Sequence, residues 1–205
     1  AGNDQSVCGT SAALAGNTPA VGSGQWTVIS GTGTFSDAGS PTSGVTGLSP
    51  GANVFQWTIT NAPCAPSSDQ MTITSVSTPT AANAGNDQSL CATSTTLEGN
   101  TATSGSGQWT VISGSGTFGD ATNPTTTVNG LVYGTYRFVW TISNTLCASS
   151  SDIVEIRIVP PTIAGNLVAS ATVCATNNTD ILTLSGNNGS IIRWEYSTNN
   201  GGSWN

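Results

Sequence analysis

Five cysteines are the residues of this chain best suited to covalent chemistry, and four of them share one spacing. Cys8 and Cys64 are separated along the chain by the same distance as Cys91 and Cys147 (64 − 8 = 147 − 91). The equal spacing predicts that each pair closes a disulfide within its own part of the chain. A loop of this size would stabilise the fold by about 4 kcal/mol. Such bonds indicate an oxidising compartment.

A metal or redox site is the alternative role for these cysteines. The sequence has no Cys-x-x-Cys motif and no His, so zinc sites and thioredoxin-like motifs lack their residues. Cys64 lies beside Pro63 and Pro66, past a predicted strand, so we expect its bond to staple the end of a domain. Cys174 follows Cys91 at the offset by which Cys91 follows Cys8, and we expect its partner to lie beyond Asn205.

Four aspartates define a second candidate site, for calcium. Oxygen ligands suit this ion, and the carboxylates could meet at a domain junction with help from Asn3, Asn86 and backbone carbonyls. The alternative interpretation is that they are turn residues, which hydrogen-bond to their own backbone. The four candidates are Asp4, Asp69, Asp87 and Asp152.

Catalytic constellations are not found in the sequence. Without His, neither a Ser-His-Asp nor a Cys-His arrangement can form. Glycoside hydrolysis needs two facing carboxylates. Residues 1–83 contain only Asp4, Asp37 and Asp69 as acids, and each has a counterpart in residues 84–166. We therefore predict that the chain is not an enzyme and needs no cofactor, calcium apart.

A long internal repeat organises these residues. Residues 1–8 recur almost unchanged as 84–91, and residues 25–35 recur as 108–118, always at an offset of 83. A unit this long suits a self-contained sandwich domain. Apolar and polar residues alternate in short segments separated by Gly, Pro and Asn, which is typical of strands. In the first repeat the predicted strands lie near 4–8, 11–16, 24–30, 33–36, 43–46, 53–60 and 69–76.

These patterns predict tandem antiparallel β-sandwich domains of the Ig-like or PKD-like kind, joined by short linkers that contain proline. We expect one domain over 1–79, a second over 80–161, and part of a divergent third over 162–205. In the third, residues 191–204 indicate two strand starts around a Gly-Gly turn, and we expect no closed core.

Six tryptophans could offer stacking surfaces for sugars. Four of them, however, alternate with apolar neighbours inside predicted strands, which favours core packing (Trp26, Trp57, Trp109 and Trp140). Trp204, beside the Gly-Gly turn, is the better candidate for an exposed aromatic. The triplets at Asn177 and Asn188 fit the short glycosylation pattern.

Charge excludes two classes of partner. The net charge is −7 with only three basic residues, Arg137, Arg157 and Arg193. Nucleic acid and anionic membrane surfaces both require clustered Lys or Arg. No window approaches the roughly 20 apolar residues of a membrane-spanning helix, so we expect no membrane insertion in this segment.

The repeated motifs resemble a known family. Ala-Gly-Asn-Asp-Gln-Ser-Val-Cys, Gly-Gln-Trp-Thr-Val-Ile-Ser-Gly-Thr-Gly-Thr-Phe and Phe-Gln-Trp-Thr-Ile are similar to PKD-like or Ig-like repeats of very large Bacteroidetes surface proteins. The SprB-type gliding-motility adhesins exported by type IX secretion are the best known. Residues 193–204 look like a second repeat type of the same proteins.

The resemblance implies a non-catalytic stalk or filament segment at a bacterial cell surface. Its partners would be neighbouring repeats of the same chain and a surface polysaccharide or substratum. An edge strand that paired between chains would add filament self-assembly, which the sequence leaves open. The alternative function is a spacer or carbohydrate-binding module attached to a secreted hydrolase.

Overall fold

The computed structural model describes residues 1–168 and 181–205, and within them all regular secondary structure is β-strand. In these residues no helix has the length and apolar character needed to cross a membrane. The strands form two similar sets, one in each repeat, followed by a short third group. The all-β prediction is confirmed.

Repeat 1 folds as two sheets that face each other across a core. The four-stranded sheet has the order β1-β7-β6-β3 and the three-stranded sheet has the order β2-β5-β4. The β1 strand runs parallel to β7, whereas the other pairs are antiparallel. The strands are β1 (Gln5–Cys8), β2 (Ser11–Ala13), β3 (Ser23–Ser30), β4 (Thr34–Phe35), β5 (Gly44–Thr46), β6 (Gly51–Asn61) and β7 (Cys64–Val76).

Repeat 2 reproduces this topology strand for strand. Its sheets have the orders β10-β13-β14-β8 and β11-β12-β9, and β8 again runs parallel to the last strand, β14. The strands are β8 (Gln88–Leu90), β9 (Ser94–Thr96), β10 (Ser106–Ser113), β11 (Thr117–Phe118), β12 (Thr127–Asn129), β13 (Gly134–Ser143) and β14 (Ser150–Ile158).

The last strand of repeat 1 is longer than the sequence pattern predicts. It begins at Cys64 rather than near residue 69, because the β6–β7 ladder continues to the pair Asn61 and Cys64. Pro66 argues against a strand in this segment, because proline cannot donate a backbone hydrogen bond to a ladder. It lies where the register shifts, and there a proline does not interrupt the regular ladder.

Alternation of side chains builds each core as predicted. On β13 the buried residues are Tyr136, Phe138, Trp140 and Ile142, which share one face. On β14, Val154, Ile156 and Ile158 are buried, while the residues between them are exposed. The period of two in the sequence therefore identifies the face that packs inward.

A pair of tryptophans fills the centre of each sandwich. The ring centroids of Trp26 and Trp57 are 5.0 Å apart, and those of Trp109 and Trp140 are 5.1 Å apart. All four side chains are at most 2% exposed, and each indole N–H donates to a backbone carbonyl. The core interpretation is confirmed, so these rings cannot stack on a sugar.

One glycine in each repeat allows this packing. Gly24 faces the ring of Trp57 so closely that an added Cβ would overlap the indole. Gly107 has the same relation to Trp140. The Gly-Gln-Trp motif thus combines an inward tryptophan with the backbone gap that receives the second one.

The described residues of the third segment form a small sheet and a turn. The strands β15 (Asn166–Val168) and β16 (Thr183–Ser185) pair antiparallel. Tyr196 and Asn205 exchange two backbone hydrogen bonds of 3.0 Å, which close the predicted turn around Gly201 and Gly202. Residues 191–196 are not a strand, contrary to prediction, and Trp204 is 61% exposed, as expected.

Candidate functional site: the cross-linked junction between the repeats

A disulfide joins the two repeats. It links Cys8, the last residue of β1, to Cys147 in the loop between β13 and β14. The two Cα atoms are 5.2 Å apart although 139 residues separate them in sequence. The bond therefore connects the far end of repeat 1 to the near end of repeat 2.

The predicted pairing, Cys8 with Cys64 and Cys91 with Cys147, is wrong. Cys8 lies opposite Val76 at the end of β7, whereas Cys64 is the first residue of β7. The length of that strand, from Cys64 to Val76, separates the two ends, a span of about 40 Å. Disulfides need Cα atoms within about 7 Å.

The same geometry separates the other predicted pair. Leu90 lies opposite Ile158 at the end of β14, so Cys91 follows at that end of repeat 2. Cys147 precedes β14 and lies at the opposite end. Cys64 and Cys91 are both exposed free thiols. Cys174, predicted to be unpaired within this sequence, lies outside the described residues.

The loop that carries Cys147 is held by Asn144. The amide oxygen of Asn144 accepts the N–H groups of Leu146 at 3.2 Å and of Cys147 at 2.7 Å. Its amide nitrogen donates to the carbonyl of Ser77 in the linker at 2.8 Å. Asn144 therefore shapes the loop and ties it to the preceding repeat.

The Cys147 sulfur also contacts the linker directly. It lies 3.7 Å from the carbonyl oxygen of Val76 and 3.6 Å from that of Ser77. A disulfide sulfur has no proton to donate, so these are packing contacts rather than hydrogen bonds. They seat the Cys147 loop on the end of the β7 strand.

The linker is bound to repeat 2 on its other side. The N–H of Thr80 donates to the carbonyl of Ser104 at 3.0 Å. The Thr80 hydroxyl oxygen accepts the N–H groups of Thr103 and Ser104 at 2.9 and 3.0 Å. Ser104 also reaches the Ser77 carbonyl with its hydroxyl, at 3.4 Å. Proline alone was expected to stiffen this linker, but hydrogen bonds fix it as well.

The candidate calcium ligands make the same contacts in both repeats. The carboxylates of Asp4 and Asp87 accept the N–H groups of Thr72 and Glu155 at 2.8 and 2.7 Å. These bonds tie the segment before the first strand of each repeat to its last strand. The turn interpretation expected bonds to each residue's own backbone, whereas the observed bonds cross to the neighbouring strand.

The second pair of aspartates holds the start of each repeat. Asp69 accepts a hydrogen bond from the Ala1 ammonium at 2.6 Å, and Asp152 accepts one from the Ala84 peptide N–H at 2.8 Å. The ammonium donor, with the N–H of Gln70, lowers the pKa of Asp69 from its ordinary value. Within residues 1–168 and 181–205, no three acidic, His or Cys side chains cluster as metal ligands. Calcium binding stays a hypothesis.

Sequence reasoning missed Asn144, Thr80 and Ser104. For Asn144 a signal existed, because Asn-x-x-Cys occurs at the same place in both repeats, as Asn61 to Cys64 and Asn144 to Cys147. Thr80 and Ser104 carry no comparable signal, since hydroxyl residues are abundant throughout the chain.

Comparison with known proteins shows the fold. No protein-family model matches the sequence, and no curated protein matches it. Among solved structures, the insect immune protein hemolin aligns over 77% of this chain at 12% identity, with a TM-score of 0.51. Each repeat is an Ig-like β-sandwich. The chain spans 45% of the hemolin chain.

Two further solved structures align less closely. Murine CEACAM1b covers 76% of this chain and 96% of its own at 12% identity, with a TM-score of 0.43. The I-band fragment I67-I69 from titin covers 79% and 65% at 12% identity, with a TM-score of 0.40.

Proposed function

We propose that this chain is a non-catalytic, load-bearing segment of a large extracellular adhesin or filament. The observation that carries the proposal is the disulfide between successive sandwiches, which joins their ends covalently outside the linker. A disulfide of this kind requires an oxidising compartment, which supports an extracellular location. The repeat units would be residues 1–79 and 80–161, with 162–205 as part of a third.

The strand order supports a mechanical role. In each repeat the first strand is the parallel neighbour of the last strand. When the disulfide is reduced, tension that enters at the first strand and leaves at the last pulls these neighbours along their length in opposite directions. The hydrogen bonds between them then share the load and must break together, because each lies across the direction of pull.

The disulfide changes the path of that tension. Force applied at Ala1 passes along β1 to Cys8, crosses the sulfur bridge to Cys147 and continues along β14. The residues between the two cysteines lie outside this path. A stalk built in this way transmits tension without unfolding the sandwiches it contains.

The finer assignment is to a bacterial cell-surface adhesin of the kind used in adhesion or gliding motility. Its support is the similarity of the Gln-Trp-Thr-Val-Ile-Ser and Asn-Asp-Gln-Ser motifs to SprB-type repeats. Hemolin, which has the same fold, is described in connection with homophilic adhesion. An Ig-like tandem is thus compatible with adhesion, and a surface polysaccharide or substratum would be the partner.

Force spectroscopy tests the load-bearing role. The whole chain is pulled from its two ends, with and without reductant. The separation of 139 residues between Cys8 and Cys147 corresponds to about 500 Å of extended chain. We expect unfolding to add this length to the measured extension only after reduction or in a Cys8→Ser variant.

The matched control is Cys64→Ser, which leaves the junction bond intact. The oxidised variant should therefore not show this gain in extension. Release of the full length from the oxidised chain at low force would contradict the proposal.

A further inference from the structure

Each repeat carries both halves of a junction like the one described. Cys91 is the repeat counterpart of Cys8 (8 + 83 = 91), and Cys64 is the counterpart of Cys147 (147 − 83 = 64). The junction uses the end cysteine of repeat 1 and the loop cysteine of repeat 2. The loop cysteine of repeat 1 and the end cysteine of repeat 2 are free and exposed.

The surface around Cys91 has the form of a socket. A cavity of about 400 Å³ lies beside Cys91 and is lined by Leu131, Val132, Tyr133, Val159 and Pro161. Val132 and Tyr133 are 66% and 65% exposed, a large apolar exposure for a sandwich loop. At the equivalent place in repeat 1, the backbone of Val76 receives the Cys147 loop.

The opposite end of the molecule has the matching loop. Asn61 and Cys64 repeat the Asn-x-x-Cys motif with which Asn144 and Cys147 dock on repeat 1. Residues 61–70 are all exposed, whereas Asn144 and Cys147 are partly buried at the junction. The loop of repeat 1 is uncovered where its counterpart is covered.

We propose that Cys64 and Cys91 are the two open halves of further junctions of the same kind. The socket at Cys91 binds the Asn-x-x-Cys hairpin tip of another repeat of this type, and Cys64 binds the end cysteine of another repeat. Each bond forms when two thiols lose two protons and two electrons. The electrons and protons pass to a disulfide oxidant, which is reduced to two thiols.

This inference goes beyond the proposed function and does not rest on it, because it needs only the equivalence of the repeats. Its consequence is a chain of sandwiches in which neighbours within one polypeptide are joined by backbone and by sulfur, and neighbours from separate copies by sulfur. Such a head-to-tail contact uses two different surfaces, so each added repeat leaves one surface open at each end of the assembly.

A second copy of the chain serves as the probe. All samples carry Cys174→Ser, so that only the four cysteines under discussion remain. In a buffer of oxidised and reduced glutathione, we expect disulfide-linked oligomers of increasing length. Peptide mapping should find Cys64 of one copy joined to Cys91 of the next.

Two variants separate specific docking from random oxidation. Cys64→Ser alone and Cys91→Ser alone should each lose all species above monomer, whereas their equimolar mixture should give a dimer that stops there. Adding Tyr133→Asp to the Cys64→Ser partner should reduce that dimer, because a charge then enters the apolar socket while the thiol remains.

Two results would overturn the inference. One is that Cys64–Cys64 and Cys91–Cys91 links are as abundant as the mixed link. The other is that both thiols end only as glutathione adducts. Neither result affects the force experiment, which depends on Cys8 and Cys147 alone.

Discussion

The two hairpin tips occupy equivalent positions in the repeats but differ in structure. In repeat 1, Asn61 pairs with Cys64 at the end of the β6–β7 ladder, beyond a register shift, with Ala62 and Pro63 as the turn. In repeat 2 the strands end at Ser143 and resume at Ser150, and the residues between them form an open loop. Both tips contain the Asn-x-x-Cys motif, Asn61 to Cys64 in repeat 1 and Asn144 to Cys147 in repeat 2.

The tips differ in sequence, with Ala62-Pro63 in repeat 1 and Thr145-Leu146 in repeat 2, and also in their contacts. Asn144 turns its amide to the Leu146 and Cys147 backbone and to the Ser77 carbonyl of the linker. Asn61 instead pairs with Cys64 and continues the strand. The tips therefore make different contacts, whereas the sandwich beneath them has the same topology in both repeats.

The largest difference between the repeats should come from replacing Cys8, which forms the junction disulfide, and its repeat counterpart Cys91, which is a free thiol. We expect Cys8→Ser to lower the free energy of unfolding by about 5 kcal/mol, because the unfolded chain is no longer closed into a long loop. Cys91→Ser removes an exposed free thiol and should change it by less than about 0.5 kcal/mol. Urea denaturation followed by tryptophan fluorescence measures both.

An equal loss in the two variants would contradict the observed pairing. It would mean that Cys91 has a partner within the chain. Intact mass with and without reductant provides the control, since the wild-type chain should gain two hydrogens on reduction and the Cys8→Ser variant none.

A smaller effect should separate the two asparagines. Asn144→Ala removes three hydrogen bonds at a partly exposed site, and we expect it to destabilise the junction by about 1 kcal/mol. Dithiothreitol should then reduce the disulfide about fivefold faster, because the loop must leave the linker before the thiolate can attack the bond. Asn61→Ala should leave that rate unchanged. Equal rates in both variants would show that the Asn144 contacts do not hold the loop.

Most of the sandwich could be predicted from the sequence, because its information is local. A period of two along residues 136–142 identifies the buried face without knowledge of any partner strand. The Gly-Gln-Trp motif likewise indicates a buried tryptophan. The internal repetition then transfers every such conclusion from one repeat to the other.

The disulfide pairing could not be predicted from the same information. In a periodic chain, two pairing schemes are consistent with the same cysteine positions. The bonds can lie within each repeat, or they can join each repeat to the next. Only the parallel pairing of β1 with β7 decides, because it carries Cys8 to the end opposite Cys64. The direction of one strand relative to its neighbour depends on residues far apart in the sequence, and the residues around Cys8 and Cys64 do not indicate it.

The smallest effect should distinguish Asp69 from Asp152, which occupy equivalent positions in the two repeats. Asp69 accepts its hydrogen bond from an ammonium group and Asp152 from a peptide N–H. The Ala1 ammonium lowers the pKa of Asp69 below 3.8, so the contact stabilises the fold above that pH and is lost as pH falls through the lowered pKa. Acetylation of Ala1 leaves an amide N–H, the kind of donor that Ala84 offers to Asp152. We expect the Asp69 pKa, followed by carboxyl NMR shifts, to rise towards 3.8 after acetylation, while the shifts of Asp152 do not change. A pKa that stays the same would show that the backbone N–H of Gln70, and not the ammonium charge, sets it.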